Sequence, residues 1–185
     1  MITIESKNIE YAQAMLGDMP KQIRAAANSA INRTLTTVRA KSSKSIRDNY
    51  LISSKDVKGR MSIKRSNKIR LTGVVKSTGA PMLITSFRVR TRKKGPIRVQ
   101  IRKQGELKAV PGMFLGTSRK GFVGAMQRTK RKASYPLRIP YGPSVPQMFG
   151  SKNVVNELVP LAEETLNKRF LHEVNYRFGK IHGGK

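Results

Sequence analysis

The stretch "MLITSFRVRTRKKGPIRVQIRK", residues 82–103, decides how the chain folds. Leu83, Thr85, Phe87 and Val89 alternate with polar positions, and Arg88, Arg90 and Arg92 take the opposite side. "KKGP" supplies a turn, after which Ile97, Val99 and Ile101 alternate with Arg98 and Arg102. A period of two in β-branched and aromatic residues marks a half-buried strand. The expected element is an antiparallel hairpin, apolar on its inner face and arginine-studded on its outer one. Upstream, "MSIKR" (61–65) and "NKIRLTGVVK" (67–76) read as an earlier strand pair. Downstream, "KGFVGAMQR" (120–128) and "YPLRIPY" (135–141) are weaker strands, broken by Gly and Pro that suggest edges or bulges.

On either side of this region the period changes to that of a helix. Ile23, Ala27, Ile31, Leu35, Val38, Ile46 and Tyr50 recur mostly at three- or four-residue steps, and neither Gly nor Pro interrupts residues 21–50. Asp18 is placed as an N-cap with Pro20 in the first turn. "RAAANSA" (24–30) favours close packing against a neighbour, in this chain or in a second subunit. "NIEYAQAML" (8–16) reads as a shorter helix ending at Gly17, and "SSKDVKGRM" (53–61) as a helical turn capped by the Ser53–Asp56 pair. From residue 151, Val154, Val155, Leu158, Leu161, Leu166, Phe170, Val174 and Phe178 form a second apolar stripe. Pro160 must either sit in its first turn or kink it.

The expected fold class is α+β: a long N-terminal helix, a central basic antiparallel β-sheet, and a C-terminal helix packed on the sheet. One domain is expected over 1–178, helical at 7–50, basic and β-rich at 57–141, with a turn at 141–150 and a helix at 151–178. The glycine-rich 179–185 is expected to be a flexible tail.

The 185-residue chain carries 38 Lys and Arg against 10 Asp and Glu, a formal charge of +28. Residues 57–152 hold 24 basic residues and a single acid, Glu106, net +23; the two ends are nearly balanced at +4 and +1. Such a field opposes self-association and calls for polyanionic or acidic partners. Cysteine is absent, which excludes disulfides and thiolate metal sites. His172 and His182 lack acidic neighbours suited to a metal site. No apolar run approaches the roughly 20 residues that span a bilayer, and the N-terminus lacks a basic start and an apolar stretch, so no signal peptide or membrane partner is expected.

Catalytic chemistry finds little to stand on. The acids lie almost wholly in the two helical ends, without a pair at general acid/base or metal spacing, and neither histidine has support for a nucleophilic triad. No phosphate-binding glycine fingerprint lies between a clear strand and helix. The glycines of "VPGMFLGTSRKGFVG" (110–124) are explained more simply by turns. The expectation is a non-enzyme without cofactor or metal. The face carrying Arg88, Arg90, Arg92, Arg98 and Arg102 suits either a DNA backbone or acidic protein. It lacks the interleaved aromatics of a base-stacking platform. A solvated basic face is the plainer alternative for it.

"IPYGPSVPQMFG" (139–150), "VPGMF" (110–114) and "IRAAANSAINRTLTTVRAKSSKSIR" (23–47) resemble the minor tail protein Z family of tailed phages and prophages, over roughly residues 15–178. "YGPSVPQMF" and "AINRTLTTVR" are the specific parts. The resemblance implies a structural virion protein that completes the tail at its head-proximal end. It would make the tail competent to join the head and let the genome end be placed. The implied partners are other tail or neck proteins (terminator, tube or tape-measure end), the genomic DNA end and further copies of the chain. Six copies follow by analogy with tail symmetry. Its setting would be the virion tail, with the host cytoplasm during assembly. The alternative is a basic nucleic-acid-binding assembly protein of ribosome-associated type. On the phage reading the uncharged "YGPSVPQMFG" (141–150) becomes a subunit docking turn: Pro143 and Pro146 restrict the backbone, Gly142 permits its change of direction, and Met148 and Phe149 are presented to a partner. The rival reading has Met148 and Phe149 staple the last helix to the sheet of the same subunit.

Overall fold

A computed structural model of the chain describes residues 2–3, 20–91, 96–117, 121, 123–129 and 136–182. Its helices are α1 (Pro20–Asn49), α2 (Ser54–Gly59), α3 (Val145–Phe149) and α4 (Lys152–His182). The strands run β1 (Ile2–Thr3), β2 (Met61–Lys64), β3 (Val74–Ser77), β4 (Met82–Leu83), β5 (Arg88–Arg90) and β6 (Arg98–Gln100). They continue with β7 (Lys108–Ala109), β8 (Met113–Thr117), β9 (Val123–Arg128), β10 (Leu137–Arg138) and β11 (Tyr141–Gly142). The α+β reading holds, with long helices at both ends and antiparallel strands between them. The strands form four small sheets among the described residues rather than one central sheet. The expected N-cap Asp18 and the helix at 8–16 lie outside the described residues.

The chain divides into two compact units. The first comprises Met1–Ser43, Met61–Ser77 and Gly150–Lys185, and so holds most of α1, the β1-β3-β2 sheet and α4. In α1, Ala26, Ala27, Ala30, Ile31, Thr34, Leu35 and Val38 are buried, and Ile23 is only half-buried. In α4 the buried line is Val154, Leu158, Ala162, Leu166, Phe170 and Val174, every fourth residue. Four residues turn through about 40° more than a full circle, so this line winds around the helix. That is why Val155 and Leu161, placed on the same face by the sequence but off this line, are only half-buried; Phe178 continues the line and is also half-buried.

The two helices run antiparallel, tied by polar side chains. Arg33 Nη1 of α1 lies 3.1 Å from Oε1 of Glu173, a buried α4 carboxylate whose Oε2 is 3.8 Å from Arg177 Nη2. Arg177 also donates to Gln22 Oε1 at 3.3 Å and to Ser29 Oγ at 3.4 Å. Pro160 sits well inside α4 on its exposed side, where the carbonyl deprived of its helical partner can bond water. The helix continues through Gly179 to His182, so 179–182 is helical where a flexible tail was expected.

The second unit comprises Lys44–Arg60 and Thr78–Phe149. Its core gathers Ile84, Ile97, Val99, Met113 and Ala125, with Val89, Ile101 and Val110 against them. The β8–β9 hairpin pairs five residues on each strand, from Met113↔Gln127 to Thr117↔Val123. Strand β8 lies in a stretch whose glycines suggest turns. Ser53 caps α2 as expected, its hydroxyl accepting from the Asp56 N–H at 3.1 Å.

The strand expected across 82–92 is broken. A 3-10 turn at Ile84–Ser86 separates β4, which pairs with β11, from β5, which pairs with β6. Three residues per turn put Ile84 and Phe87 on one side. Both are buried, with Met82, while Thr85 is exposed and Leu83 half-buried. Alternation counted through the turn therefore loses phase at Leu83 and Thr85.

Candidate anion-binding face

Strands β5 and β6 pair in the register Arg88↔Gln100, Val89↔Val99 and Arg90↔Arg98. Residues directly opposite in an antiparallel ladder share a face. Val89 and Val99 therefore turn to the core, and Arg88, Arg90 and Arg98 stand together on the outer face, all exposed. Arg90 and Arg98 are direct cross-strand neighbours, a like-charge pairing that costs stability unless a counter-charge is supplied. Strand β7 adds Ala109 opposite Arg98, so the sheet itself brings no carboxylate to this face.

The rest of the expected cluster departs from that arrangement. Arg102 lies beyond the end of β6, bridged to Tyr50, with its guanidinium carbon 5.8 Å from the centre of the Tyr50 ring. That separation is within reach of a cation–π attraction, which gives Arg102 a neighbour of its own. Arg92 lies outside the described residues. Gln100, the remaining outer residue of β6, donates to Gly105 O at 2.6 Å and Lys103 O at 3.2 Å, which holds the following turn closed. The face is thus a group of three guanidiniums, on short strands whose inner residues are fixed in a core.

The expected docking turn requires a correction. Met148 and Phe149 are buried, in a helix rather than a loop, so they are not presented to a partner. Ser144 and Gln147 explain why: the Ser144 N–H donates to Gln147 Oε1 at 2.9 Å, and the Gln147 N–H donates to Ser144 Oγ at 3.3 Å. This reciprocal capping box starts α3, and Pro146 falls in its first turn, where the missing N–H costs little. "SVPQ" carries that signal in the sequence, and reading it would have placed Met148 and Phe149 on a helix. Pro143 is half-buried. Gly142 is needed for a close approach: a Cβ there would stand 2.5 Å from Cε2 of the Phe87 ring. What the segment leaves exposed is Tyr141, together with Gln147 and Gly150.

Among the described residues no group of three His, Cys, Asp or Glu could hold a metal ion, and no helix is long and apolar enough to cross a membrane. A family model described as prophage minor tail protein Z matches residues 7–181, nearly the whole chain. No curated protein and no solved structure matches it. The chain belongs to the prophage minor tail protein Z family.

Proposed function

We propose that this minor tail protein, a structural component of a phage tail with other tail proteins as its partners, completes the head-proximal end of that tail. There it makes the tail competent to join the head and holds the genome end in position. It acts by binding rather than by catalysis. Copies assemble into a ring, six by the symmetry of tails, between the tail tube or terminator and the neck. The subunits gather in the host cytoplasm before the virion is complete.

The observation that carries this reading is the exposed Arg88, Arg90 and Arg98 face. Three guanidiniums held together at a cost to the free subunit are stabilised when an anion arrives. At the end of a tail that anion is the phosphate backbone of the genome terminus. Tails assembled with the triple variant Arg88→Gln, Arg90→Gln and Arg98→Gln should form but join heads at least tenfold less often, counted by electron microscopy. The purified variant should bind duplex DNA with a salt slope lower by about 0.9 for each phosphate no longer neutralised. Normal joining together with an unchanged slope would remove both the face and the genome-end role from the account.

A further inference from the structure

A second basic feature lies in the first unit, where α1, the segment after β2 and α4 border an open, shallow cleft of about 300 Å³. Its walls are Asn32, Arg33, Thr36, Thr37, Arg65 and Arg169. Three are arginines, each from a different element, and none is acidic. The volume is at the small end of ligand clefts, about 300–1,000 Å³.

The frame around these arginines is built by buried polar bonds. Ser66 N–H donates to Asn32 Oδ1 at 3.0 Å, and Asn32 Nδ2 donates back to Ser66 O at 3.2 Å. The buried Ser66 hydroxyl donates to Asn28 Oδ1 at 2.7 Å. This clamp fixes the backbone beside Arg65 to two successive turns of α1. Also on α1, Arg33 is oriented by Glu173 of α4, with which Arg177 also pairs. Arg33 and Arg177 share that one carboxylate, so the three arginines of the cleft keep a surplus of positive charge, to which Arg65 and Arg169 contribute most directly. Both side chains are exposed.

The donor set decides the ligand chemistry. Thr36 and Thr37 hydroxyls donate to the carbonyls of Asn32 (3.1 Å) and Arg33 (3.2 Å), so their protons are already used within the helix. The guanidiniums remain as donors, and their planar forks match the oxygens of a phosphate or carboxylate. A planar carboxylate is satisfied by one fork. Three forks carried by three different elements suit the several oxygens of a phosphate better than the two of a carboxylate.

We propose that this cleft is an oxyanion site for a phosphate group, held by Arg33, Arg65 and Arg169. The source is a nucleic-acid phosphodiester or free phosphate. The site draws its residues from the first unit and the strand face from the second, and the reading does not depend on where in the tail the subunit sits.

The test uses the full-length chain and the double variant Arg65→Gln/Arg169→Gln, both positions being exposed, with circular dichroism as the check on folding. Inorganic phosphate should raise the melting temperature of the wild type, at constant ionic strength in chloride, and the variant should lose that rise. Duplex DNA binding by the variant should show a salt slope lower by about 1.8, for two phosphates no longer neutralised. A loss confined to DNA identifies the phosphodiester as the source; a loss confined to inorganic phosphate identifies free phosphate. The variant Arg65→Lys/Arg169→Lys keeps the charge without the forks, and should recover the DNA salt slope but not full phosphate affinity. Should either pair fail to fold, Arg65→Gln alone is measured for half the change in slope. Identical phosphate stabilisation and DNA slope in wild type and variant would overturn the proposal. An arginine-dependent rise produced by poly-glutamate but by neither phosphate nor DNA would also overturn it, pointing instead to an acidic protein.

Discussion

Phe87 and Phe149 show what single residues contribute to this chain. Phe87 reaches its buried position only because residue 142 has no side chain. Gly142→Ala should therefore cost about 1–3 kcal/mol, the range for overpacking a filled interior. A melting temperature equal to wild type would mean that the Phe87 ring moves freely aside. Gly73 is constrained in the same way in the first unit, where a Cβ would collide with Leu35 Cδ1. Phe149, buried at the end of α3, should cost about 3–5 kcal/mol on truncation to alanine, lowering the stability of the isolated subunit itself. A Phe149→Ala subunit that melts normally yet fails to enter tails would restore the docking role that burial argues against. Replacing the buried Glu173 by Gln would remove the charge that Arg33 and Arg177 share.

At the scale of elements, the N-terminal helix carries the plainest test. Ile31→Asp or Leu35→Asp would place an unpaired carboxylate at a fully buried position and should cost several kcal/mol or prevent folding. Near-normal thermal unfolding in both would show the helix phase to be wrong. In the β5–β6 hairpin the sign reverses: Arg90→Gln removes repulsion from Arg98 and should stabilise the free subunit by about 0.2–1 kcal/mol, read from chemical denaturation. Both predictions rest on periodicity, which is also where the sequence is most informative. Long helices repeat their pattern many times, so Ala27, Ile31, Leu35 and Val38 are identifiable without coordinates. The register of the Arg88, Arg90 and Arg98 face is legible because alternation survives in β5 and β6. Short strands offer too few repeats to correct an error. The 3-10 turn at Ile84–Ser86 shifts the phase unseen, and β8 is hidden because glycines in "VPGMFLGT" look like turn residues. The phosphate cleft is illegible for another reason: Arg33, Arg65 and Arg169 are far apart in sequence and meet only through tertiary packing.

For the whole molecule the governing quantity is the charge of +28, most of it between residues 57 and 152. Like charges confined to a folded chain repel one another, and unfolding relieves part of that repulsion. Added salt screens it, shortening the Debye length from about 30 Å at 0.01 M to about 8 Å at 0.15 M. The free subunit should therefore melt at a higher temperature in roughly 0.15 M than in roughly 0.01 M sodium chloride. A bound polyanion acts in the opposite sense with salt. Duplex DNA that binds the folded form stabilises it by mass action, and its hold on each phosphate weakens as counterions are added back. With DNA present, the melting temperature should be highest at low salt and fall as salt rises. The two curves should converge near the ionic strength at which binding ceases. The triple variant at Arg88, Arg90 and Arg98 should flatten both curves, because the same guanidiniums supply repulsion in the free chain and attraction in the complex. If the free subunit instead melts lower as salt rises, the ion pairs of Glu173 and Asp48 outweigh the repulsion among the arginines. In that event the field of the middle segment is not what drives the chain toward an anionic partner.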